Sequence, residues 1–283
     1  MRLKIILTLA IGVIIAVLIF VIIGPGNKRK QAKYLEYRIA EKNSKVLPRP
    51  DSMSKVMKEA ENSLKKGDYA LAKLKYQELV NNYPNSEKIS IWQKTVDDIN
   101  IKIILNGVMC DGFTIYEIQS GDSLSKIARQ FNTTVDLIKK SNYLTSDQIS
   151  RGRKLKIWTR KFSCFVDKSQ NILLLKSKDE VIKSYVVSTG KDNSTPIGTF
   201  KIVTKIENPT WYKNNKAIPP SSPENILGTR WMGFDIDSYG IHGTTDPGSL
   251  GKQVTQGCVR MKNEDVEELY IFLPQGSEVT IVD

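Results

Sequence analysis

The sequence predicts a multi-domain chain. A mostly-β C-terminal domain, built as a sandwich or half-barrel with one helix, follows a small βααβ module, an α-helical spacer and an N-terminal transmembrane helix. Three observations carry this reading. An uncharged apolar run opens the chain, helical periodicity governs the stretch after it, and β-branched runs separated by Gly, Pro, Asn and Asp fill the chain beyond Lys161. With 283 residues, 40% apolar and 25% charged, neither a disordered chain nor a multi-span membrane protein fits. Three cysteines and one histidine exclude a disulfide-dense scaffold, a self-contained four-cysteine zinc site and any mechanism needing two histidines.

Ile5 to Ile23 is a run of 19 residues without a charge. As a helix it would be about 28 Å long, close to the ~30 Å hydrocarbon core. Gly24-Pro25-Gly26-Asn27 is a poor cleavage site, so an uncleaved anchor over residues 1–30 fits better than a secretory signal. Basic residues on both sides leave its orientation open. Residues 31–50 read as a charged linker ending in Pro48-Arg49-Pro50.

Residues 51–108 read as a helical spacer. Val56, Ala60 and Leu64 recur at four-residue spacing before Gly67-Asp68, and Tyr69, Ala72, Tyr76, Leu79 and Tyr83 form a second stripe ended by Pro84. The second stripe resembles half of a tetratricopeptide repeat. A third helical segment, from about Ser86 to Leu105, would cap the pair. Its stripes serve either as the core of a spacer or as a groove for a protein partner.

The net charge of +12 is unevenly spread, +14 over residues 1–162 and −2 beyond. No Arg-rich stripe with interleaved aromatics accompanies it, so nucleic acid is not an expected partner; lipid head groups or wall polymer fit better.

Residues 114–159 form the small module. Tyr116-Glu117-Ile118 and Leu155-Lys156-Ile157 alternate as strands, with helical faces at Ile127, Ala128 and Phe131 and at Val135, Leu137 and Ile138 between them. Tyr116-x-Ile118-x-x-Gly121-Asp122-Ser123-Leu124-x-x-Ile127-Ala128-x-x-Phe131, with Asn142, Ile149, Gly152 and Leu155-x-Ile157, resembles the lysin motif (LysM). The resemblance implies binding of N-acetylglucosamine-containing glycan strands, chiefly peptidoglycan. The implied groove lies between the turn at Gly121, Asp122, Ser123 and Leu124 and the loop after the second helix. Cys110 and Cys164 bracket the module, and antiparallel pairing of its strands would bring them near each other. A bridge would then close a loop of 53 intervening residues; the alternative is two independent small hydrophobes.

Residues 161–283 carry the chemistry. Phe165-Val166, Ile172–Leu175, Val181–Val187, Thr199–Ile206 and Val279–Val282 read as strands, with one helix near Asn263–Leu273. Ile241-His242-Gly243-Thr244 is followed by Gln256-Gly257-Cys258-Val259-Arg260-Met261. A cysteine attacks as its thiolate, so it needs a nearby base, and the sole imidazole supplies one. A preceding glycine lets main-chain N–H groups approach a developing oxyanion, and a nearby Arg offers a fixed positive fork. Asp246 precedes Pro247 and reads as a turn residue, not a triad acid. Papain-like, caspase-like and sortase-like enzymes space or order His and Cys differently.

His242-Gly243-Thr244…Gly251…Thr255-x-Gly257-Cys258-Val259-Arg260-Met261, with upstream Ser188-Thr189-Gly190…Thr195-Pro196-Ile197-Gly198-Thr199-Phe200, resembles the L,D-transpeptidase catalytic motif. Thr255 stands where Ser is usual, and Gln256 occupies a variable position. Trp211 and the run Asn225-Ile226-Leu227-Gly228 also look familial. The resemblance implies an L,D-transpeptidase-type mostly-β domain acting on peptidoglycan stem peptides, with no metal or cofactor. It implies Cys258 as nucleophile and His242 as base then acid, oriented by the Gly243 carbonyl. Gly257 and Cys258 N–H groups would form the oxyanion hole, Arg260 would position the site, and carbapenems would acylate it. Water as acceptor would make an L,D-carboxypeptidase; a degenerate site would leave a wall-binding scaffold. The modules agree on a bacterial cell envelope location, a single-pass cytoplasmic-membrane protein with its C-terminal domains outside.

Overall fold

The computed structural model describes residues 50–283. The expected anchor, residues 5–23, and the linker ahead of Pro50 lie outside the described residues. Among the described residues no helix is long and apolar enough to cross a membrane. The single-pass membrane location is corrected accordingly: it rested on a segment the structure does not describe, and no described helix replaces it.

The described residues divide into two units, 50–86 and 87–283. In the first, α1 (Pro50–Lys65) and α2 (Tyr69–Asn82) form a helical hairpin. Its turn follows from sequence. Gly67 takes a positive φ of 70°, and the Asp68 side chain caps α2 by accepting from the Leu71 N–H. Ala60, Ala72 and Leu79 are fully buried, and the mostly buried Lys75 is paired with Glu59 and Glu78.

The second unit begins with α3 (Ile89–Leu105). This helix does more than supply an apolar stripe, because two polar residues on its buried side bond to the β-domain. Asn100 Nδ2 donates to the Ile182 carbonyl at 2.9 Å, and Asp97 accepts from both the N–H and the hydroxyl of Ser184.

The βααβ module comprises β1 (Phe113–Glu117), α4 (Leu124–Gln130), α5 (Val135–Ser141) and β2 (Lys154–Trp158). The strands pair antiparallel with Phe113 opposite Trp158. Ser123 and Thr134 cap the two short helices. Ile118, Leu124, Ile127, Ile138, Leu155 and Ile157 make its core. Leu137 and Trp158 instead join the core of the following domain, where Trp158 stacks on Phe162 and Phe162 meets Phe272 edge-on. The Thr134 hydroxyl also donates to the Ile271 carbonyl. Module and β-domain are therefore packed through a shared apolar core.

The β-domain is built on an eight-stranded mixed sheet of β3 (Phe162–Asp167), β4 (Ile172–Ser177), β5 (Glu180–Val186), β7 (Gly198–Glu207), β10 (Arg230–Phe234), β11 (Gly240–His242), β13 (Val259–Arg260) and β14 (Glu278–Val282). The order is β13-β11-β10-β7-β14-β3-β4-β5. Two-residue β6 (Thr189–Gly190) pairs with β12 (Gln253–Thr255), and β8 (Trp211–Lys213) with β9 (Lys216–Ile218) forms a hairpin. Ser188, just past β5, exchanges two 2.8 Å backbone bonds with Arg260 of β13, so the far ends of the sheet meet as in a half-barrel. One helix, α6 (Asn263–Phe272), buries Val266, Leu269 and Phe272 against the sheet.

The bridge weighed between Cys110 and Cys164 is not formed. Cys164 is a free thiol on β3, turned into the core, while Cys110 is exposed. The strands do pair as expected, but β3 directs its cysteine inward, and burial pushes that thiol far above the ordinary range.

Candidate active site

The site forms where β11 and β13 run in parallel, with Ile241 opposite Val259 and His242 opposite Arg260. One residue back in that register, Cys258 falls beside Gly240. Residues two apart along a strand share a face, so His242, Cys258 and Arg260 project to one side, with Cys258 diagonal to His242. The sheet thus brings together residues that the sequence left far apart.

His242 is 2% exposed and its ring lies beside Trp231 of β10, centroids 6.0 Å apart. Its Nδ1 is 2.6 Å from the Gly243 carbonyl oxygen. A carbonyl only accepts, so Nδ1 carries the proton and Nε2 is left unprotonated. Burial lowers the imidazole pKa from 6.5 to about 4; the Gly243 bond opposes this and the Arg260 charge adds to it. The ring is neutral at pH 7. Asp246 is not the orienting partner: its N–H donates to the Thr244 hydroxyl and its carbonyl accepts from Ser249.

Cys258 sits at the end of a tight turn. Thr255 Oγ1 donates to the Cys258 carbonyl at 2.7 Å and accepts from the Gly257 N–H at 3.1 Å. Gly257 has a φ of 128°, and a Cβ there would lie 2.5 Å from Tyr239. The Gly257 N–H is thus given to Thr255 in the resting site, and the glycine is needed there for conformation and closeness. The Cys258 thiol donates to the Ser238 carbonyl at 3.4 Å. Burial raises its pKa, against the Gly240 N–H and the Arg260 charge, so the resting sulfur is a protonated thiol.

Arg260 is anchored by an Nη1 bond of 3.0 Å to the Ser249 hydroxyl, and Ser188 Oγ donates to the Ser249 carbonyl. Burial lowers its pKa, with Asp246 and Cys258 opposing.

Several positioning residues escaped the sequence. Asn263 Oδ1 accepts from the N–H groups of Thr229 and Thr244, at 3.2 and 3.0 Å, and so fixes the peptide that holds the Gly243 carbonyl. Lys168, 1% exposed, donates to the Thr195 carbonyl, and Thr195 Oγ1 in turn accepts from Gly190. Only a lysine inside a strand-ending Asp-Lys-Ser turn and an asparagine opening a helix were visible, and neither carries a signal. Asn225, singled out earlier, is buried and ties Pro209 and Ile218 together beneath the β8–β9 hairpin that carries Trp211. Among the described residues no group of three or more His, Cys, Asp or Glu is arranged to hold a metal.

In the βααβ module the four expected glycan contacts are mostly structural. Gly121 turns with φ 83°. Asp122 accepts from the Gln119 N–H and the Tyr116 hydroxyl, bonds that hold its carboxyl below the usual range. Ser123 caps α4. Leu124, 2% exposed, belongs to the core, which corrects its placement on the glycan surface.

Residues 162–281 match the YkuD family, the L,D-transpeptidase catalytic domain, and residues 116–158 match the LysM domain. These matches define a catalytic domain of the L,D-transpeptidase class joined to a LysM domain. Over 124 residues the chain is 44% identical to YqjB of Bacillus subtilis, assigned by name to the L,D-transpeptidases, covering 42% of this chain and 69% of that protein. It is 33% identical over 175 residues to YkuD of Bacillus licheniformis, covering 59% and 98%. With YkuD of Bacillus subtilis it shares 31% identity over 173 residues, covering 59% and 97%. The chain belongs to the L,D-transpeptidase family.

Proposed function

We propose that the chain is a peptidoglycan L,D-transpeptidase with Cys258 as its nucleophile, its catalytic domain spanning 161–283 and its glycan-binding module 114–159. The reading rests on one observation above the others. A neutral His242, its Nδ1–H held by the Gly243 carbonyl, presents a free Nε2 on the sheet face it shares with Cys258.

The thiol proton passes to Nε2 as Sγ attacks the carbonyl between the third stem residue and the terminal D-Ala. With the Gly257 N–H already bonded, the Cys258 N–H is the donor assigned to the oxyanion. As the tetrahedral adduct collapses, the C–N bond breaks, His242 returns the proton to the departing D-Ala amine, and a thioester remains. An acceptor amine on a neighbouring stem then gives its proton to His242 and attacks the thioester carbonyl; the C–S bond breaks, His242 passes the proton back to Sγ, and a 3→3 cross-link remains. Arg260, braced by Ser249, keeps a fixed positive charge beside both groups. The chemistry needs no metal or organic cofactor.

Purified protein incubated with tetrapeptide muropeptides should yield cross-linked dimers and free D-Ala. Tripeptide without dimer would instead establish the L,D-carboxypeptidase. Mass spectrometry after carbapenem treatment should find one adduct, on Cys258; folded protein without one would leave the non-enzymatic wall-binding scaffold.

A further inference from the structure

We propose that Trp231 is the specificity wall for the third stem residue of the donor. The side chain of the residue whose carbonyl Cys258 attacks lies along the indole, and the departing D-Ala carboxylate lies on the Arg260 side. The inference rests on the transpeptidase reading of the site and adds the direction in which the donor crosses it.

The register of the sheet fixes the order of the groups. Arg260 of β13, His242 of β11, Trp231 of β10 and Ile206 of β7 lie opposite one another across four neighbouring strands, so their side chains share one face. At ~4.8 Å per strand, the row runs about 14 Å from a fixed positive charge, past the base, to an aromatic and then an aliphatic side chain. The adjoining row on that face is Cys258, Gly240, Gly233 and Thr204.

The two glycines of the second row make room for the indole of the first. A Cβ on Gly233 would lie 2.8 Å from Trp231 Nε1, and one on Gly240 would lie 3.0 Å from Trp231 Cζ2. Gly240 is the neighbour of Cys258, so the ring leans toward the row that holds the sulfur. Its plane stays within 23° of the His242 ring. His242 is 2% exposed, whereas the Trp231 that packs on it is only half-buried and keeps part of its surface open. Ile206, 46% exposed, continues the apolar surface away from the sulfur.

Charge gives the donor one direction across this face. A 3→3 cross-link is made through a side-chain amine of stem residue three, so the donor's own third residue carries a methylene chain ending in an ammonium. Its Cα is bonded to the attacked carbonyl carbon, which brings that chain beside Sγ. The leaving side ends in the D-Ala carboxylate. Arg260 attracts the carboxylate and repels the ammonium; its Nη1 is held by Ser249, and its Nε has no acceptor among the described residues. An indole packs methylenes against its ring and favours a cation over its face. The acyl side therefore runs from Cys258 over β10 toward Ile206, and the leaving side toward Arg260.

The test compares two stem tetrapeptides that differ only at residue three, L-lysine or L-alanine. Release of D-Ala by the full chain is followed, which counts water and amine acceptors alike. The quantity read is the ratio of kcat/KM for the two stems, from which any loss through a displaced His242 cancels. Wild type should favour the lysine stem about tenfold, the worth of a few buried methylenes. Trp231→Leu should reduce that preference to about twofold, through KM for the lysine stem, while Trp231→Phe should keep most of it. Ile206→Ser changes an exposed position and should halve the preference, so it decides the matter where Trp231→Leu does not fold. Wild type without a preference, or a preference that these changes leave intact, overturns the inference and leaves the transpeptidase reading standing. Equal losses on both stems in Trp231→Leu overturn it too, and reduce Trp231 to packing for His242. Wild type that releases D-Ala from neither stem overturns the transpeptidase reading itself.

Discussion

The side-chain oxygen of Asn263 occupies the space that a Cβ on Gly243 would need, 2.2 Å from where that atom would stand. The same oxygen accepts from the N–H groups on either side of the His242 turn, Thr229 and Thr244. The carbonyl that sets the His242 tautomer is therefore positioned by a residue that never touches the ring. Gly243→Ala must expel Asn263 and tilt that carbonyl. Carbapenem acylation, followed by stopped-flow, should slow about 100-fold in Gly243→Ala, with a native far-ultraviolet spectrum. Asn263→Ala, which frees two N–H groups but leaves Gly243 in place, should slow it less.

The resting pair is a neutral imidazole beside a neutral thiol, and this gives the pH profile a definite shape. With His242 titrating near 4, the acid limb of kcat/KM for acylation should lie near pH 4, well below the 6.5 of an ordinary imidazole. A limb near 6.5 would instead indicate an imidazole whose pKa burial has not lowered. Stability follows the same shift. Between pH 6.5 and 4 the unfolded chain binds a proton at His242 that the folded chain refuses. Stability is unaffected above 6.5 and falls as pH drops toward 4, by on the order of 3 kcal/mol from this group alone. Urea unfolding at pH 7 and pH 4.5, compared with a His242→Gln variant that lacks the titration, measures that contribution.

Thr255 tests the turn that presents the sulfur. Its hydroxyl serves Gly257 and Cys258 together, and a hydroxyl is all the turn asks of it. Thr255→Ser should retain acylation within about twofold, whereas Thr255→Val, of nearly the same shape, should lose at least about tenfold, consistent with one broken hydrogen bond at a buried turn. Equal rates in both variants would remove the turn from the mechanism.

The pattern in the sequence was enough for the long strands. Ile172–Leu175, Val181–Val187, Thr199–Ile206 and Val279–Val282 are rich in β-branched residues and lie within β4, β5 with its extension, β7 and β14. The LysM domain was legible for a related reason, because its spacing encodes caps and a local core. The strands that build the site were not. β11 and β13 hold three and two residues, too few for any periodicity, and they exist because distant segments pair. The His, Cys and Arg could be listed as chemistry, but their common face comes from that pairing. That the Gly257 N–H has an acceptor in Thr255 shows only when the turn is folded. Asp97 and Asn100 interrupt the stripe of a helix expected to cap the spacer, and a buried polar residue always asks for a partner.

That partner is β5, an edge strand of the eight-stranded sheet, and covering an edge is how folds prevent intermolecular strand pairing. Asp97 takes both donors of Ser184, so Asp97→Ala leaves a backbone N–H and a hydroxyl without acceptors and should cost about 1–3 kcal/mol in chemical denaturation. Asn100→Ala strands only the Ile182 carbonyl and should cost less. The two residues lie one turn apart on α3 and bond neighbouring positions of one strand, so their effects should be coupled: loosening the helix with the first change removes part of what the second could lose. A double variant whose cost falls short of the sum of the singles would identify α3 as a cooperative cover of the edge. Strictly additive costs would mean that each bond acts alone and that the helix is held by its apolar face.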